Sequence, residues 1–275
     1  MERVALVTGA TDGLGRGVAE RLAAAGLTVH LHGRDAGKLE RTAAEIAEAT
    51  GNERLVQHRA DFASLAQVRA LVGEVEGSTE ALHVLVSNAG IGSGKPDLTT
   101  RQESEDGYEL RFAVNYLAGF LLTRLLEPLL VAAAPGARIV NVASAGQWPI
   151  DFDDVMLERS YDGQRAYAQS KLAQVMSTFD LAERLRDAGV TVNALHPSTY
   201  MPTKIVHSPV STVADGVRAT SRLIWDLPRE QVNGQYFNVE RAARAHAQAY
   251  DVDARARLRR LSAELTGSHA AGSPA

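Results

Sequence analysis

Short apolar runs alternate with longer segments of helical apolar spacing along almost the whole chain. The first run, Val4–Val7, is too short for a helix, and the stretch 18–25 after it repeats apolar residues at helical spacing. This pattern predicts strands at 4–7, 28–32, 54–57, 82–86, 138–142, 190–195 and 236–239. It predicts helices at 18–25, 38–49, 65–75, 108–131, 164–188, 210–225 and 241–265.

Regular alternation of strand and helix predicts an α/β fold. We expect a doubly wound, mostly parallel, Rossmann-like sheet with helices on both faces and right-handed crossovers. No repeat or linker divides the chain, so a single domain is predicted over residues 1–265. The small, polar segment 266–275 is predicted to be a flexible tail.

The composition narrows the classes of partner. The chain has 275 residues and a net charge of −4 without a block of one sign, which favours neither nucleic acid nor an anionic membrane. It has no cysteine, which excludes disulfides and thiolate catalysis, and we predict no metal site. The first strand leaves no room for a signal peptide, and the apolar stretch 113–134 is interrupted by polar residues and a proline. We therefore expect a cytoplasmic protein without membrane association.

The turn after the first strand carries the first chemical signal. Residues 8–15 read TGATDGLG, with glycines at Gly9, Gly13 and Gly15 before a predicted helix. A glycine turn between strand and helix lets a phosphate approach backbone N–H groups at the helix N-terminus. The alternative is an ordinary helix cap with chance glycines. The other strand exits also carry polar residues or glycines, at 32–34, 61–62, 87–90, 143–146 and 196–198, where ligands bind in such sheets.

Tyr167 and Lys171 are four residues apart in a predicted helix and share a face. An ammonium beside a phenol favours the phenolate, which would lower the pKa of the tyrosine and suit it to acid–base work. A solvated surface pair is the alternative. Ser144 leaves the fifth strand and should reach the same sheet edge. Asn115 lies in an apolar helix, where it either serves the site or braces a backbone.

These residues together resemble the short-chain dehydrogenase/reductase family along nearly the whole chain. The matches are Thr8-Gly9-xxx-Gly13-x-Gly15, Ser87-Asn88-Ala89-Gly90 where the family usually has NNAG, Asn115, Ser144 and Tyr167-xxx-Lys171. The stretches 106–109, 120–123 and 233–237 resemble the retinol-dehydrogenase-like branch.

The resemblance implies hydride transfer between a nicotinamide cofactor and a carbonyl or alcohol. Tyr167 would exchange the proton, Ser144 would bind the substrate oxygen, Lys171 would hold the ribose, and Asn115 would place a water. The cofactor-binding set would be Gly9, Thr11, Asp12, Gly13, Leu14, Gly15, Arg34, Asp61, Phe62, Asn88, Ala89, Gly90, Tyr167, Lys171, Pro197, Ser198 and Thr203.

Cofactor choice depends on the second strand's exit. NAD-binding proteins place a carboxylate there, whereas this chain has Arg34, which suits a 2′-phosphate, with Arg16 as a second cation. Asp35 is explained as a helix cap. We therefore favour NADP over NAD.

Two departures from the family pattern affect the pocket. Ser198 replaces a glycine and Thr203 lies six residues after Pro197, where five are usual, and an acidic insertion spans 151–154. The candidate pocket residues are largely apolar and suggest a lipophilic or aromatic substrate: Ile91, Trp148, Pro149, Tyr200, Met201, Ile205 and Val206. A redox-inactive cofactor sensor, C=C reduction and epimerisation remain alternatives. The apolar helices 108–131 and 164–188 suggest a homodimer or homotetramer, unless the acidic insertion covers them.

Overall fold

A computed structural model describes residues 3–92, 98–198, 211–225 and 232–268. The strands, in chain order β1 to β8, are Val4–Val7, Thr28–Gly33, Leu55–Arg59, Val84–Ser87, Arg138–Val142, Thr191–His196, Tyr236–Asn238 and Arg241–Ala243. The α-helices, α1 to α7, are Gly13–Ala24, Ala36–Thr50, Leu65–Glu76, Leu110–Ala132, Gly163–Arg184, Val213–Trp225 and Val252–Thr266.

All eight strands form one sheet in the order β3-β2-β1-β4-β5-β6-β7-β8. Every neighbouring pair is parallel except β7 with β8. The chain leaves β1 towards β2 on one side and later returns to place β4 on the other, so a crevice opens at the carboxyl ends of β1 and β4. The predicted doubly wound, single-domain α/β fold is confirmed.

Side chains on both faces of the sheet are buried, which is why its central strands read as continuous apolar runs. On β1 and β4, Val7 and Val86 enter the core beneath α1, α2 and α6. Their neighbours Leu6 and Leu85 enter the opposite core, beneath α3 and α4. This alternation sandwiches the sheet between two helical layers and fixes the crevice between them.

The C-terminal part departs from the predicted single helix over 241–265. Arg241–Ala243 instead pairs antiparallel with β7, and a 3₁₀ turn, Ala247–Tyr250, precedes α7. Helix α5 ends at Arg184 rather than at residue 188. Residues 185–189 form turns instead, and Gly189 has a φ of +74°. Apolar content alone could not separate these turns from the helices that they flank.

Helix α4 contains a π turn, Ala113–Leu117. By length and composition it could cross a membrane, and it is the one such helix in the part of the chain that the structure describes. Half of its apolar stretch is buried inside the fold, and a helix in a protein core can have the same length and composition. The expected absence of a membrane partner stays a prediction.

Helix α7 packs on the two helices that the sequence suggests for association. Leu258 is buried against them, the Tyr116 and Ser262 hydroxyls are 2.8 Å apart, and Arg255 pairs with Glu183 at 3.0 Å. Part of that surface is therefore covered within one chain. The homo-oligomer stays a prediction, as do the bounds 1–265 of the domain. Thr266 belongs to α7, inside the predicted tail, and residues 269–275 lie outside the described part.

Candidate active site

The glycine turn is shaped for close backbone approach. Gly9 has a φ of +66° and Gly13 a φ of +49°, which favour glycine. A Cβ on Gly15 would lie 2.2 Å from the Gly9 carbonyl oxygen. Asp12 caps α1 by accepting the Gly13 N–H at 2.9 Å. The turn therefore forms a cradle that any side chain would fill, and this cradle fits a pyrophosphate at a helix N-terminus.

Asn88 connects the exits of β1 and β4. Its side-chain amide donates to the carbonyl oxygens of Thr8 at 2.9 Å and Gly9 at 3.2 Å. The Thr8 hydroxyl in turn accepts the N–H groups of Asn88 and Ala89. Asn88 and Ala89 thus hold the glycine turn in shape. Their predicted role in cofactor binding would therefore act through the conformation of this turn.

At the end of β2, His32 supports the glycine turn and Arg34 faces solvent. His32 Nδ1 accepts the Gly9 N–H at 3.3 Å, and its Nε2 lies 3.0 Å from the Ala60 carbonyl oxygen. Arg34 is exposed at the carboxyl edge. Asp35 caps α2 through the Lys38 N–H at 3.0 Å, which lowers the pKa of its carboxyl. The capping interpretation of Asp35 is therefore confirmed.

Arg34 is the better placed of the two predicted cations. Arg59, at the end of β3, donates to the Arg34 carbonyl oxygen at 3.3 Å and so steadies its backbone. Arg16 is engaged elsewhere, in a 2.9 Å ion pair with Glu45 on α2. Because that carboxylate offsets its charge, Arg16 offers less to a phosphate than Arg34 does.

The other predicted cofactor residues near the ends of β1 and β3 contact neighbouring residues of the fold. The Thr11 methyl packs over the site of a Gly33 Cβ, and Leu14 is buried in the core. Phe62 stacks on His32 with centroids 4.3 Å apart, so its ring is buried below the surface. Asp61 accepts the Ala63 N–H at 2.9 Å.

Ser144 and Tyr167 come together as predicted, since the Ser144 hydroxyl lies near enough to the Tyr167 hydroxyl to influence its pKa. The exit of β5 carries the serine and the second turn of α5 carries the tyrosine. Burial raises the pKa of Tyr167, and the bond from Ser144 offsets part of this rise. The expectation that Lys171 lowers this pKa is wrong for this structure, because burial dominates and the ammonium binds other groups.

Lys171 is buried and its ammonium is 5.8 Å from the centre of the Tyr167 ring. It donates to the Val142 carbonyl oxygen at 3.0 Å and to Gln174 Oε1 at 2.9 Å. Burial lowers the pKa of Lys171 to about 8. The lysine is therefore a buried, hydrogen-bonded cation and not one of a solvated surface pair.

Asn115 lies in the π turn and braces the loop after β4. Its side chain accepts the Ile91 N–H at 2.8 Å and donates to the Ile91 carbonyl oxygen at 3.1 Å. It also donates to the Ser170 hydroxyl at 3.0 Å. A Cβ on Gly90 would lie 3.0 Å from Asn115 Oδ1 and 3.7 Å from the Lys171 ammonium. The bracing role is thus present, and the placement of a water stays a prediction.

A cavity of about 40 Å³, lined by polar and apolar side chains, lies between α4 and α5. Asn115 and Gln174 line its inner part, and Asp180 lies nearer the surface. The Ser87 hydroxyl also lines it and has no hydrogen-bond partner among the described residues. A cavity of this size with polar lining groups holds about two or three waters.

The remaining predicted cofactor and pocket residues follow β5 and β6 in the chain. Pro197 and Ser198 follow β6 and are buried, whereas Thr203 and the pocket candidates Tyr200, Met201, Ile205 and Val206 lie outside the described residues. Trp148 and Pro149 are exposed beside α5. The acidic insertion is a folded loop whose carboxylates pair with arginines, including Asp151 with Arg165 at 3.5 Å.

Sequence reasoning missed Gln147, Gln174 and Tyr236, which contact Ser144 or Lys171 of the predicted catalytic set. It also missed a buried network behind the loop after β4. There the Arg111 guanidinium donates to the Gly92 carbonyl oxygen at 3.1 Å and the Tyr161 hydroxyl at 2.6 Å, while Glu109 accepts from Tyr161 at 3.2 Å. No spacing in the sequence singles out these residues.

The crevice, the glycine cradle and the Ser144–Tyr167–Lys171 group define a dinucleotide-binding oxidoreductase fold. A sequence model of the family described as short chain dehydrogenase matches residues 3–213, and the chain belongs to that family. It is retinol-dehydrogenase-like: retinol dehydrogenase 13 of Mus musculus is 37% identical over 296 residues, covering 99% of this chain and 86% of that protein.

Solved structures of the family superpose on most of the chain. The NADPH-bound carbonyl reductase from chicken fatty liver is 26% identical, with a TM-score of 0.68, covering 89% of this chain and 99% of that one. The 3-ketoacyl-(acyl-carrier-protein) reductase from Brucella melitensis, complexed with NADH, is 26% identical, with a TM-score of 0.67 and coverages of 86% and 96%. NAD(P) binding follows from the family, and these two structures do not decide between the cofactors.

Proposed function

We propose that this protein is an NADP(H)-preferring oxidoreductase that interconverts a carbonyl and an alcohol on a lipophilic or aromatic small molecule. The observation that carries the proposal is the meeting of the Ser144 and Tyr167 hydroxyls beside the buried ammonium of Lys171. These groups lie at the same sheet edge as the glycine cradle.

The residues divide the work as the family resemblance implies. When bound, the nicotinamide cofactor supplies or accepts the hydride. The Tyr167 hydroxyl gives a proton to the carbonyl oxygen in reduction or takes it from the alcohol in oxidation, and the Ser144 hydroxyl bonds the same oxygen. Lys171 holds a cofactor ribose. Because burial raises the pKa of Tyr167, the phenol is protonated at neutral pH, which suits the donor role in reduction.

A proton must reach the buried site in each turnover, and the cavity between α4 and α5 offers a route. Lys171 bonds Gln174, and Gln174 lines the cavity together with Asn115. Water in this volume would link the lysine to solvent, which is the role predicted for Asn115. The path ends near Asp180, where burial raises the pKa of the carboxyl.

Exposed Arg34 supports the preference for NADP, since a guanidinium binds a phosphate with charge-assisted hydrogen bonds. Ile91, Trp148 and Pro149 beside the site support a lipophilic substrate. So do relatives that are named for retinol and polyprenol. A cytoplasmic location is proposed on the interpretation of the interrupted apolar stretch 113–134 as a core helix rather than a membrane span.

The test is turnover of NADPH and NADH with a panel of ketones, aldehydes, enals and the corresponding alcohols, retinal and prenyl aldehydes included. Tyr167→Phe removes only the hydroxyl, so it should keep the fold and cofactor binding while turnover falls at least about a hundredfold. Tyr108→Phe, which removes a hydroxyl that donates to the Leu265 carbonyl oxygen on α7 and not to the site, is the matched control. No turnover with bound cofactor would favour a redox-inactive sensor, and C=C products would favour the alternative reduction.

A further inference from the structure

The region that matches the family ends at residue 213, yet residues after it contact the catalytic serine. Tyr236, on β7, is buried, and its hydroxyl donates to the Ser144 carbonyl oxygen at 3.0 Å. The same carbonyl oxygen accepts from Gln147 Nε2 at 3.0 Å. Two side chains from different elements therefore hold one peptide group of the active-site loop.

The loop is tied to the C-terminal segment at two further points. Gln147 Oε1 accepts the His246 N–H at 2.8 Å, which fixes the amide that holds Ser144. The Gln248 side chain accepts the Ile150 N–H at 2.7 Å and donates to the Ile150 carbonyl oxygen at 3.0 Å. The segment 144–150 is thus fastened near both of its ends by residues that belong to β7 or follow β8.

We infer that Tyr236 and Gln147 are positioning residues that hold the Ser144 peptide so that its hydroxyl faces Tyr167. This inference rests on the proposed oxidoreductase function. We call these two donors the clamp. The Ser144 peptide needs their support because the next residues, Ala145 and Gly146, are exposed. The Ser144 hydroxyl accepts the Gly146 N–H at 3.1 Å. Without the donors on its carbonyl oxygen, this peptide loses the contacts that set its rotation.

Tyr236 is suited to a permanent donor role rather than to acid–base exchange. Burial and the nearby Tyr167 raise the pKa of Tyr236 to about 12. Its hydroxyl therefore stays protonated wherever the enzyme is folded and active. A change in the clamp therefore reaches Tyr167 through Ser144, whose carbonyl oxygen Tyr236 holds.

The test compares Tyr236→Phe with Tyr108→Phe. Both variants lose a hydroxyl that donates to a backbone carbonyl oxygen, but Tyr108 donates to Leu265 on α7 at 2.8 Å and not to the site. In Tyr236→Phe, kcat should fall about fivefold with cofactor KM unchanged, since one net hydrogen bond corresponds to about that factor. Gln147→Met should do the same, and the double variant should lose more than either single variant.

A readout independent of turnover separates the clamp from the proposed function. Titration of ¹³Cζ-labelled tyrosine by NMR, with Tyr167 assigned from Tyr167→Phe, should show a higher pKa of Tyr167 in Tyr236→Phe, because the bond from Ser144 weakens. A shifted titration in a protein without turnover would sustain the clamp and refute the oxidoreductase. An unchanged titration together with the kcat of Tyr108→Phe would overturn the clamp.

Discussion

The ammonium of Lys171 and the side-chain oxygen of Gln174 are 2.9 Å apart, one turn along the same buried helix. This contact, with the Val142 carbonyl oxygen, stabilises the charge that burial disfavours. It does not remove the cost, because burial still lowers the pKa of Lys171 to about 8 from 10.5. The lysine is thus kept at the expense of stability.

Lys171→Met should therefore stabilise the fold while abolishing turnover. Between pH 8 and 10.5 the unfolded chain binds a proton that the folded chain has lost. The free energy of unfolding therefore rises with pH in this range. Below pH 8 the destabilisation caused by burying the charged lysine is fully present. At pH 7 the gain should be about 1–3 kcal/mol, reduced by the lost hydrogen bonds. Urea unfolding measures it, and a less stable variant would show that the hydrogen bonds outweigh desolvation.

Gln174→Glu places a carboxylate beside the same ammonium and should raise the pKa of Lys171. The pH at which cofactor affinity declines on the alkaline side should then move upward relative to wild type. Fluorescence titrations of NADPH between pH 7 and 10 give this limit. An unmoved limit would mean that Lys171 does not control cofactor binding in this range.

Gly15→Ala and Gly73→Ala form a matched pair of helical substitutions. A Cβ at Gly15 would lie 2.2 Å from the Gly9 carbonyl oxygen and 2.4 Å from Asn88 Nδ2, so this variant should lose both stability and cofactor affinity. At Gly73 a Cβ meets nothing within 4 Å, and alanine should stabilise α3 by about 0.5–1 kcal/mol. Thermal unfolding with and without NADPH distinguishes them; equal effects would argue against the cradle.

Arg34→Ala should weaken NADPH about ten- to a hundredfold and leave NADH almost unchanged, since only NADPH carries the 2′-phosphate. Arg16→Ala should act less, because Glu45 already pairs with Arg16. Arg21→Ala, near the far end of α1, controls for net charge. Dissociation constants at one ionic strength decide the matter. Equal loss for both cofactors, or a wild-type preference for NADH, would contradict the assignment.

Acid should destabilise the protein through two buried histidines on β2. Burial lowers the pKa of His30 and of His32 to about 4. Between pH 6.5 and 4 the unfolded chain binds protons that the folded chain excludes, so stability falls as pH falls, by about 1.4 kcal/mol per unit for each histidine. Glu109 acts in the opposite sense, because burial raises the pKa of its carboxyl.

The difference between wild type and His30→Gln isolates one of these histidines. His30 is 2.9 Å from His58, and this contact adds to the disfavour of a proton. Urea midpoints at pH 7, 6, 5 and 4.5 should fall less steeply in the variant. Parallel slopes would show that His30 takes up its proton without unfolding.

The sequence predicted the sheet and the strand exits because both depend on short-range patterns. Buried parallel strands read as apolar runs, and Thr8-Gly9 through Gly15 has a spacing that the turn itself requires. Ser144 and Tyr167 were placed together by topology alone. The predicted lowering of the Tyr167 pKa by Lys171 failed because it counted the neighbouring charge and not burial, which decides both pKa values.

Long-range contacts account for what sequence reasoning missed. Tyr236 and His246 reach the serine loop across the sheet edge, and Glu109 and Arg111 are charged residues buried against Tyr161. A spacing rule cannot identify such partners, since nothing nearby in the chain requires them. The sequence pattern predicts a helix at Arg241–Ala243 for the same reason, since the strand there depends on its pairing with β7.

The contact between Tyr236 and Ser144 spans 92 residues. A ribosome that adds about 5–20 residues per second needs roughly 5–20 s to make that interval. Late in this interval the nascent chain holds the glycine turn, Ser144, Gln147 and Tyr167, but neither Tyr236 on β7 nor His246, which fixes the Gln147 amide. Catalytic competence is therefore acquired near the end of synthesis, after the cofactor crevice has been made.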